Sequence, residues 1–261
     1  SMLIKMLSDV PDDFSSVITK EIDKDTLNYW YRPTFEVDSL IFEVVRAHFI
    51  DTVVVRIKDF KSDSLVFKSL TSNLKLKDPY IVSATIPLEK VNQSKVQVIN
   101  KDSVFLKTTM FLDSVTNNVV LNFDKTEKNS YKIQFLPGAF TDFFGAKNDT
   151  INYNATTKFQ SDYGNVRVNI GNGVYPMIIQ ITNAKGVVVE SFFAKDSSPV
   201  DFKDVSPGIY FLRAIFDSDK NGLYDTGDYL SKVQPERVSY ASEPIEVRAG
   251  WDTIEEFVLD N

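Results

Sequence analysis

The sequence predicts an all-β protein built of tandem antiparallel β-sandwiches. Three observations lead there. Strand-favouring side chains are abundant: 20 Phe and 11 Tyr accompany many Val, Ile and Thr, which fit a pleated, half-buried surface. Short apolar runs recur at spacings of 12–13 residues, punctuated by Asp-Ser or Asp-Thr dipeptides, the strand-and-turn rhythm of a sandwich. Apolar and polar residues alternate, as at Val166, Val168 and Ile170, which marks a strand with one buried face.

The 261 residues correspond to about two or three domains. A hydrophobic fraction of 43% is enough for ordinary cores, and a net charge of −7 offers no basic field to capture phosphates, so nucleic acid is not an expected partner. The absence of cysteine rules out disulfides and thiolate zinc sites. No apolar run reaches the roughly 18 residues of a membrane-spanning helix. Ser1-Met2 reads as an expression scar, and the chain as a fragment of a longer protein whose targeting signal would lie outside it.

Along the chain, Asp9–Ile18 is expected to hold one short helix, with Pro11 in its first turn. From Asp25 a repeat begins. Asp25-Thr, Asp38-Ser, Asp51-Thr and Asp63-Ser adjoin the runs Asn28–Tyr31, Ile41–Val45, Val53–Ile57 and Val66-Phe67. Asp and Ser/Thr side chains bond nearby backbone groups and so favour turns, which predicts an antiparallel meander. A boundary is expected at Asp78-Pro79. Strands follow at Ile81–Ile86, Lys95–Val98, Val104–Phe111, Asn118–Phe123, Tyr131–Phe135 and Ile151–Phe159. The turn-rich segment Leu136–Asp149 precedes the last of these. From residue 161 the expected strands are Val166–Ile170, Met177–Ile181, Gly186–Phe193, Ser206–Arg213, Ile245–Arg248 and Thr253–Leu259. Gly171-Asn-Gly173 is a strong turn signal. The expected domains are therefore a partial or degenerate β unit at 1–78, a sandwich at 79–160 and a further sandwich at 161–261.

Two segments carry resemblances. Ile86-Pro-Leu-Glu, with Leu136-Pro-Gly-Ala, Thr141-Asp, Gly145 and Asn148-Asp, resembles the bacterial Ig-like domains of the surface-layer type. Phe202 with Ser206-Pro-Gly-Ile-Tyr210 resembles the prealbumin-like sandwiches of the carboxypeptidase-regulatory and CnaB type. Tyr210-Phe-Leu-Arg213, Gln234-Pro-Glu236, Val247-Arg-Ala249 and Trp251-Asp252, in that order, look like the C-terminal region of large Ig-like cell-envelope proteins of Bacteroidetes. These resemblances imply an exported protein of the periplasm, outer membrane or cell surface, lipid-anchored in its parent form. They imply spacers and scaffolds and supply no catalytic residues.

The stretch Asp217–Asp228 carries the most specific chemistry. Counting Asp217 as position 1, Asp219, Asn221, Leu223, Asp225 and Asp228 stand at 3, 5, 7, 9 and 12, with Gly222 at 6. This fits the calcium-loop pattern, with Asp228 in place of the usual bidentate Glu. Calcium wants about six to eight oxygens, and alternating carboxylates on one tight loop supply them. The competing reading is a solvated hairpin whose Asp and Asn side chains cap backbone N–H groups. Eight Asp-Ser/Thr-apolar triplets form a second pattern: those at Asp25, Asp38, Asp51, Asp63, Asp102, Asp113, Asp149 and Asp252. They resemble the O-glycosylation acceptor that Bacteroidetes use on exported proteins; ordinary turn chemistry is the competing reading. His48, the single histidine, would have to serve any Ser-His-Asp device but reads as a strand-edge residue. The aromatic groups Tyr29–Tyr31, Phe140 with Phe143-Phe144, and Phe192-Phe193 could face a sugar and are expected to pack in cores instead. Together these features predict a non-catalytic structural or ligand-presenting module of a cell-envelope protein. The alternative is a carbohydrate- or protein-binding accessory module of a surface uptake or secretion system. A hydrolase would need two carboxylates about 5–10 Å apart in one cleft, and no sequence feature places them so.

Overall fold

The computed structural model describes residues 3–21, 26–46, 49–57, 64–71, 73–227 and 232–259. Among these the protein is all-β, with only two single 3-10 turns, Gln93–Lys95 and Gln160–Asp162, besides its strands. No helix among the described residues is long and apolar enough to cross a membrane. The chain divides into two compact units, Ser1–Thr157 and Lys158–Asn261.

In the first unit the strands are β1 (Leu3–Met6), β2 (Ser15–Lys20), β3 (Leu27–Arg32), β4 (Ser39–Arg46), β5 (Phe49–Arg56), β6 (Phe67–Ser69) and β7 (Tyr80–Ala84). They continue as β8 (Leu88–Val91), β9 (Val96–Asn100), β10 (Thr108–Asp113), β11 (Asn118–Phe123), β12 (Ser130–Phe135), β13 (Phe140–Asp142) and β14 (Ile151–Thr156). Sheets ordered β10-β11-β7-β6 and β14-β12-β9 enclose one core. Tyr80, Val82, Val119 and Leu121 meet Val98, Tyr131, Ile133 and Phe135 there. These inward residues alternate with outward ones along β12, as the period of two requires. The division expected at residue 78 runs through this sheet, because β6 before it pairs with β7 after it, and Leu65, Phe67 and Leu74 pack on the same core.

The N-terminal strands form two smaller sheets, β1-β4-β5 and β2-β3. No helix forms at Asp9–Ile18. Instead a turn closes with Phe14 N–H on Pro11 O at 3.0 Å, and β2 pairs along its length with β3. Val17, Ile18 and Thr19 are β-branched, and the stretch after Pro11 is too short to repay helix nucleation. The simple meander is also replaced: β4 pairs with β5, but β3 pairs with β2 and β6 with β7. Asp51-Thr52 lies inside β5, whereas Asp25, His48 and Asp63 lie outside the described residues.

In the second unit the strands are β15 (Gly164–Gly171), β16 (Met177–Thr182), β17 (Val188–Ala194), β18 (Val200–Val205), β19 (Gly208–Phe216), β20 (Val238–Tyr240), β21 (Ile245–Val247) and β22 (Asp252–Val258). A sheet β18-β15-β22 faces a sheet β17-β16-β19-β20, with β21 also on β19. Val166, Val168, Ile179, Ile181, Phe202, Leu212 and Phe257 fill the space between. One pairing departs from an antiparallel sandwich. The closing strand β22 runs parallel to β15 over Asn165–Gly171, because the chain leaves β21 in one sheet and crosses to the other before its last strand.

Candidate functional site

The loop after β19 gathers the predicted ligand residues. β19 is buried at alternate positions up to Ala214, and the chain leaves the sandwich at Asp217, which is 2% exposed. Its two oxygens accept the N–H of Asn221 at 3.1 Å and of Gly222 at 2.8 Å. Asp219 accepts the same Asn221 N–H at 3.1 Å. The Asn221 side-chain Nδ2 donates to Asp219 Oδ2 and to Asp225 Oδ2, each at 2.7 Å. Leu223 enters through its main chain, donating N–H to Asn221 Oδ1 at 2.6 Å, while its side chain is exposed. Gly222 has φ +77°, a conformation that L side chains rarely adopt.

Asp228 lies outside the described residues. The carboxylate that closes the cluster belongs to Glu236, which sequence spacing did not select. Glu236 Oε1 accepts Ser218 N–H at 2.6 Å and Oε2 accepts Asp225 N–H at 3.2 Å, so one side chain ties both ends of the loop. Its own N–H donates to Asp225 O at 3.0 Å. Carboxylate oxygens of Asp217, Asp219 and Glu236 lie within 4.8 Å of one another. Partial desolvation raises the Asp219 pKa above the ordinary value; the charge of Asp225 and a bond with Asp217 add to this, and the Asn221 N–H opposes it. Oxygens already accepting N–H groups keep lone pairs for a metal. The donor set therefore suits a hard cation such as calcium, with Asp217, Asp219 and Glu236 as its carboxylates.

The loop also has a packing role. Ile178 and Ile215 are 4% and 2% exposed, yet they point away from the core side held by Ile179 and Leu212. Register places Ile178 between Phe193 and Ile215 on that outer side. A Cβ at Gly222 would sit 4.0 Å from the Phe193 ring, which places the loop over this outer apolar row.

Elsewhere, Asn117, Asp142 and Asn148 serve the main chain, whereas the buried Asn118 Oδ1 has no hydrogen-bond partner among the described residues. Asn117 accepts Leu88 N–H at 2.8 Å and donates to the carbonyls of Ala84 and Ile86 at 3.0 and 2.8 Å. Asp142, 1% exposed, accepts the N–H groups of Phe144 and Ala146 at 2.9 and 2.8 Å. Asn148 accepts Phe140 N–H at 2.7 Å and donates to Leu136 O at 3.1 Å. Asp142 and Asn148 belong to the segment that carries the Ig-like resemblance, and their task there is to hold a turn.

The aromatic groups make contacts within their own units, but Phe144 and Phe192 are exposed and not in a core as expected. Phe140 is fully buried against Phe67 and Phe135, each at 4.9 Å. Trp30 meets Phe144 edge-on at 6.4 Å and donates its Nε1–H to Thr19 at 2.9 Å. Tyr29 meets Phe42 at 4.9 Å. Arg32 lies over the Phe143 ring at 4.4 Å, bonds its carbonyl and pairs with Glu89 at 3.0 Å. Among the Asp-Ser/Thr-apolar triplets, Thr26, Thr52, Ser64, Ser103, Ser114 and Thr150 are exposed, and Ser39 and Thr253 half-buried.

No protein-family model matches the sequence, and no curated protein matches it. Among solved structures, the chain is similar to the Bacillus anthracis TIE protein at 13% identity and TM-score 0.24, over 77% of this chain and 41% of that one. It is similar to the BSP domain of a biofilm-associated protein at 11% identity and TM-score 0.27, over 74% and 30%. It is similar to the T6 backbone pilin of serotype M6 Streptococcus pyogenes at 7% identity and TM-score 0.22, over 91% and 82%. The chain thus spans less than half the length of the first two.

Proposed function

We propose that this chain is a non-catalytic structural module of an exported cell-envelope protein, whose sandwiches set reach and whose end loops make contacts. One observation supports the reading above others. Five of the buried polar side chains, Asn117, Asp142, Asn148, Asp217 and Glu236, are each committed to backbone groups. Groups so engaged order loops and satisfy the main chain. A nucleophile or general base would instead face a substrate. Export to the periplasm or cell surface, with a lipid anchor on the parent, follows from the resemblances of both units. Digestion of intact source cells with an added protease tests it: loss of the chain from whole cells supports surface display, and protection that persists after outer-membrane permeabilisation overturns export.

Within this role the Asp217–Glu236 loop takes calcium as a stiffener. The ion would bring together carboxylates that repel one another and would hold the loop on the row Phe193–Ile178–Ile215. Millimolar calcium is expected to raise the melting temperature, magnesium to raise it less, and Glu236→Gln to abolish the response. An unchanged melting temperature would sink the metal reading. The exposed Asp-Ser/Thr triplets meet the steric requirement of an O-glycan acceptor. Intact mass of the protein from its source organism is expected to exceed the sequence mass; an unmodified mass would contradict this.

A further inference from the structure

The outer edge of β5 is one of the sheet edges that the described residues of the first unit leave unpaired. Every residue from Ile50 to Arg56 is exposed, with Ile50 at 67%, Val53 at 40%, Val54 at 59% and Val55 at 46%. Among the described residues β5 pairs with β4 alone. Ile57 N–H donates to Asp38 O at 3.0 Å, and ladder bonds alternate along an antiparallel pair. Val55 and Val53 therefore bond β4, while the N–H and C=O groups of Thr52, Val54 and Arg56 point outward. Ile41, opposite Val54, confirms the phase by bonding the other way, to Leu7 and Ser8. The Thr52 N–H is capped by its neighbour Asp51 at 2.8 Å; the Val54 groups find no partner among the described residues.

Edge strands are ordinarily protected by central charges, proline, bulges or short length. β18 carries Asp201 and Lys203 on its edge, and β22 carries Glu255 and Glu256. The centre of β5, Thr52-Val-Val-Val55, has no such device. We propose that this edge pairs antiparallel with β5 of a second copy of the chain, about a two-fold axis at Val54. That register lays Val53-Val-Val55 on its own equivalent. Outward-facing residues meet outward-facing residues, Val54 with Val54 and Thr52 with Arg56. It also places Arg56 of one copy opposite Thr52, on the same face as Glu43, which pairs with Thr52 on β4 of the other copy. A parallel arrangement would set like charges side by side and is disfavoured.

The chain has no cysteine, so single cysteines report the register. Residues opposed in a hydrogen-bonded pair have Cα atoms about 5.5 Å apart, inside the disulfide range of roughly 4.4–6.8 Å. Val54→Cys is expected to give a covalent dimer under mild oxidation. Val53→Cys, opposed to Val55, would have its own mate about 7–8 Å away diagonally and is expected to remain uncrosslinked. By sedimentation equilibrium the unaltered chain is expected to dimerise reversibly. Val54→Pro removes an N–H that β4 does not use and is expected to weaken the dimer by roughly tenfold or more. Thr52→Lys is the substitute if that variant misfolds. A chain that stays monomeric at its highest soluble concentration overturns the proposal. So does equal crosslinking at Val53 and Val54, or a dimer untouched by Val54→Pro and Thr52→Lys.

Discussion

Asp217 and Asp219 stand two positions apart on one loop and are held in opposite ways. Asp217 is buried, and both oxygens accept main-chain N–H groups. Replacing it with Asn turns one acceptor into a donor and strands an amide, which costs about 1–3 kcal/mol. Asp219 is exposed, and its raised pKa means that the folded chain binds a proton there more readily than the unfolded chain. Its effect on stability is therefore favourable below the ordinary carboxylate pKa. It turns into a cost as pH rises through the folded value, since charge is then less welcome in the folded loop. In metal-free protein at neutral pH, Asp219→Asn is expected to leave the melting temperature unchanged or slightly higher, and Asp217→Asn to lower it. Both are expected to lose the calcium response. Thermal melts with calcium and with a chelator check each outcome. That Asp217 and Asp219 come together on one loop was legible from their spacing. Glu236 was not, because its place is fixed by β20 returning beside β19, a long-range pairing that no local pattern encodes.

Strands with a clean alternation were legible as elements. Asn118–Phe123 is a strand over the expected residues, and Val166–Ile170 lies inside one. Strand ends set by side-chain caps were not. Val104–Phe111 reads as one apolar run, yet the strand begins at Thr108. Asn100 bonds the N–H groups of Asp102 and Val104 at 3.0 and 2.9 Å and draws the first part into a turn, with Ser103 at φ +60°. The opposite error occurs at Asp51-Thr52, where a turn dipeptide is drawn into β5 by its full pairing with β4. The acidic loop illustrates how an element depends on one backbone position. At Gly227, φ is +77°, and a Cβ would come 2.6 Å from Pro235 N and Val233 O. Those neighbours are backbone and cannot swing aside. Gly227→Ala is expected to lower loop stability by more than about 1 kcal/mol and to weaken calcium binding without changing the strand content seen by circular dichroism. Unaltered calcium titration of that variant would show that the loop does not need this turn.

At the scale of the whole chain, the two cores share no residue: Ile133, Phe135 and Phe140 belong to one, and Val168, Ile179 and Leu212 to the other. Each unit buries its own apolar faces, so residues 158–261 are expected to fold alone, with a dispersed NMR spectrum and the same calcium response. An unfolded fragment would contradict that independence. The all-β class was legible because composition and period agreed. The parallel pairing of β22 with β15 was not, since both strands show the same alternation whichever way they run. In both units, buried polar side chains such as Asn117, Asn148 and Asp217 are engaged in holding the backbone. Residue-resolved amide hydrogen exchange tests this most directly, at Leu88, Phe140, Asn221 and Gly222, whose N–H groups bond Asn117, Asn148 and Asp217. Slow exchange at all four, slower still at Asn221 and Gly222 with calcium, is the expected result. Exchange as fast as in an open loop would mean that these side chains are free for other work, and would contradict a purely structural role.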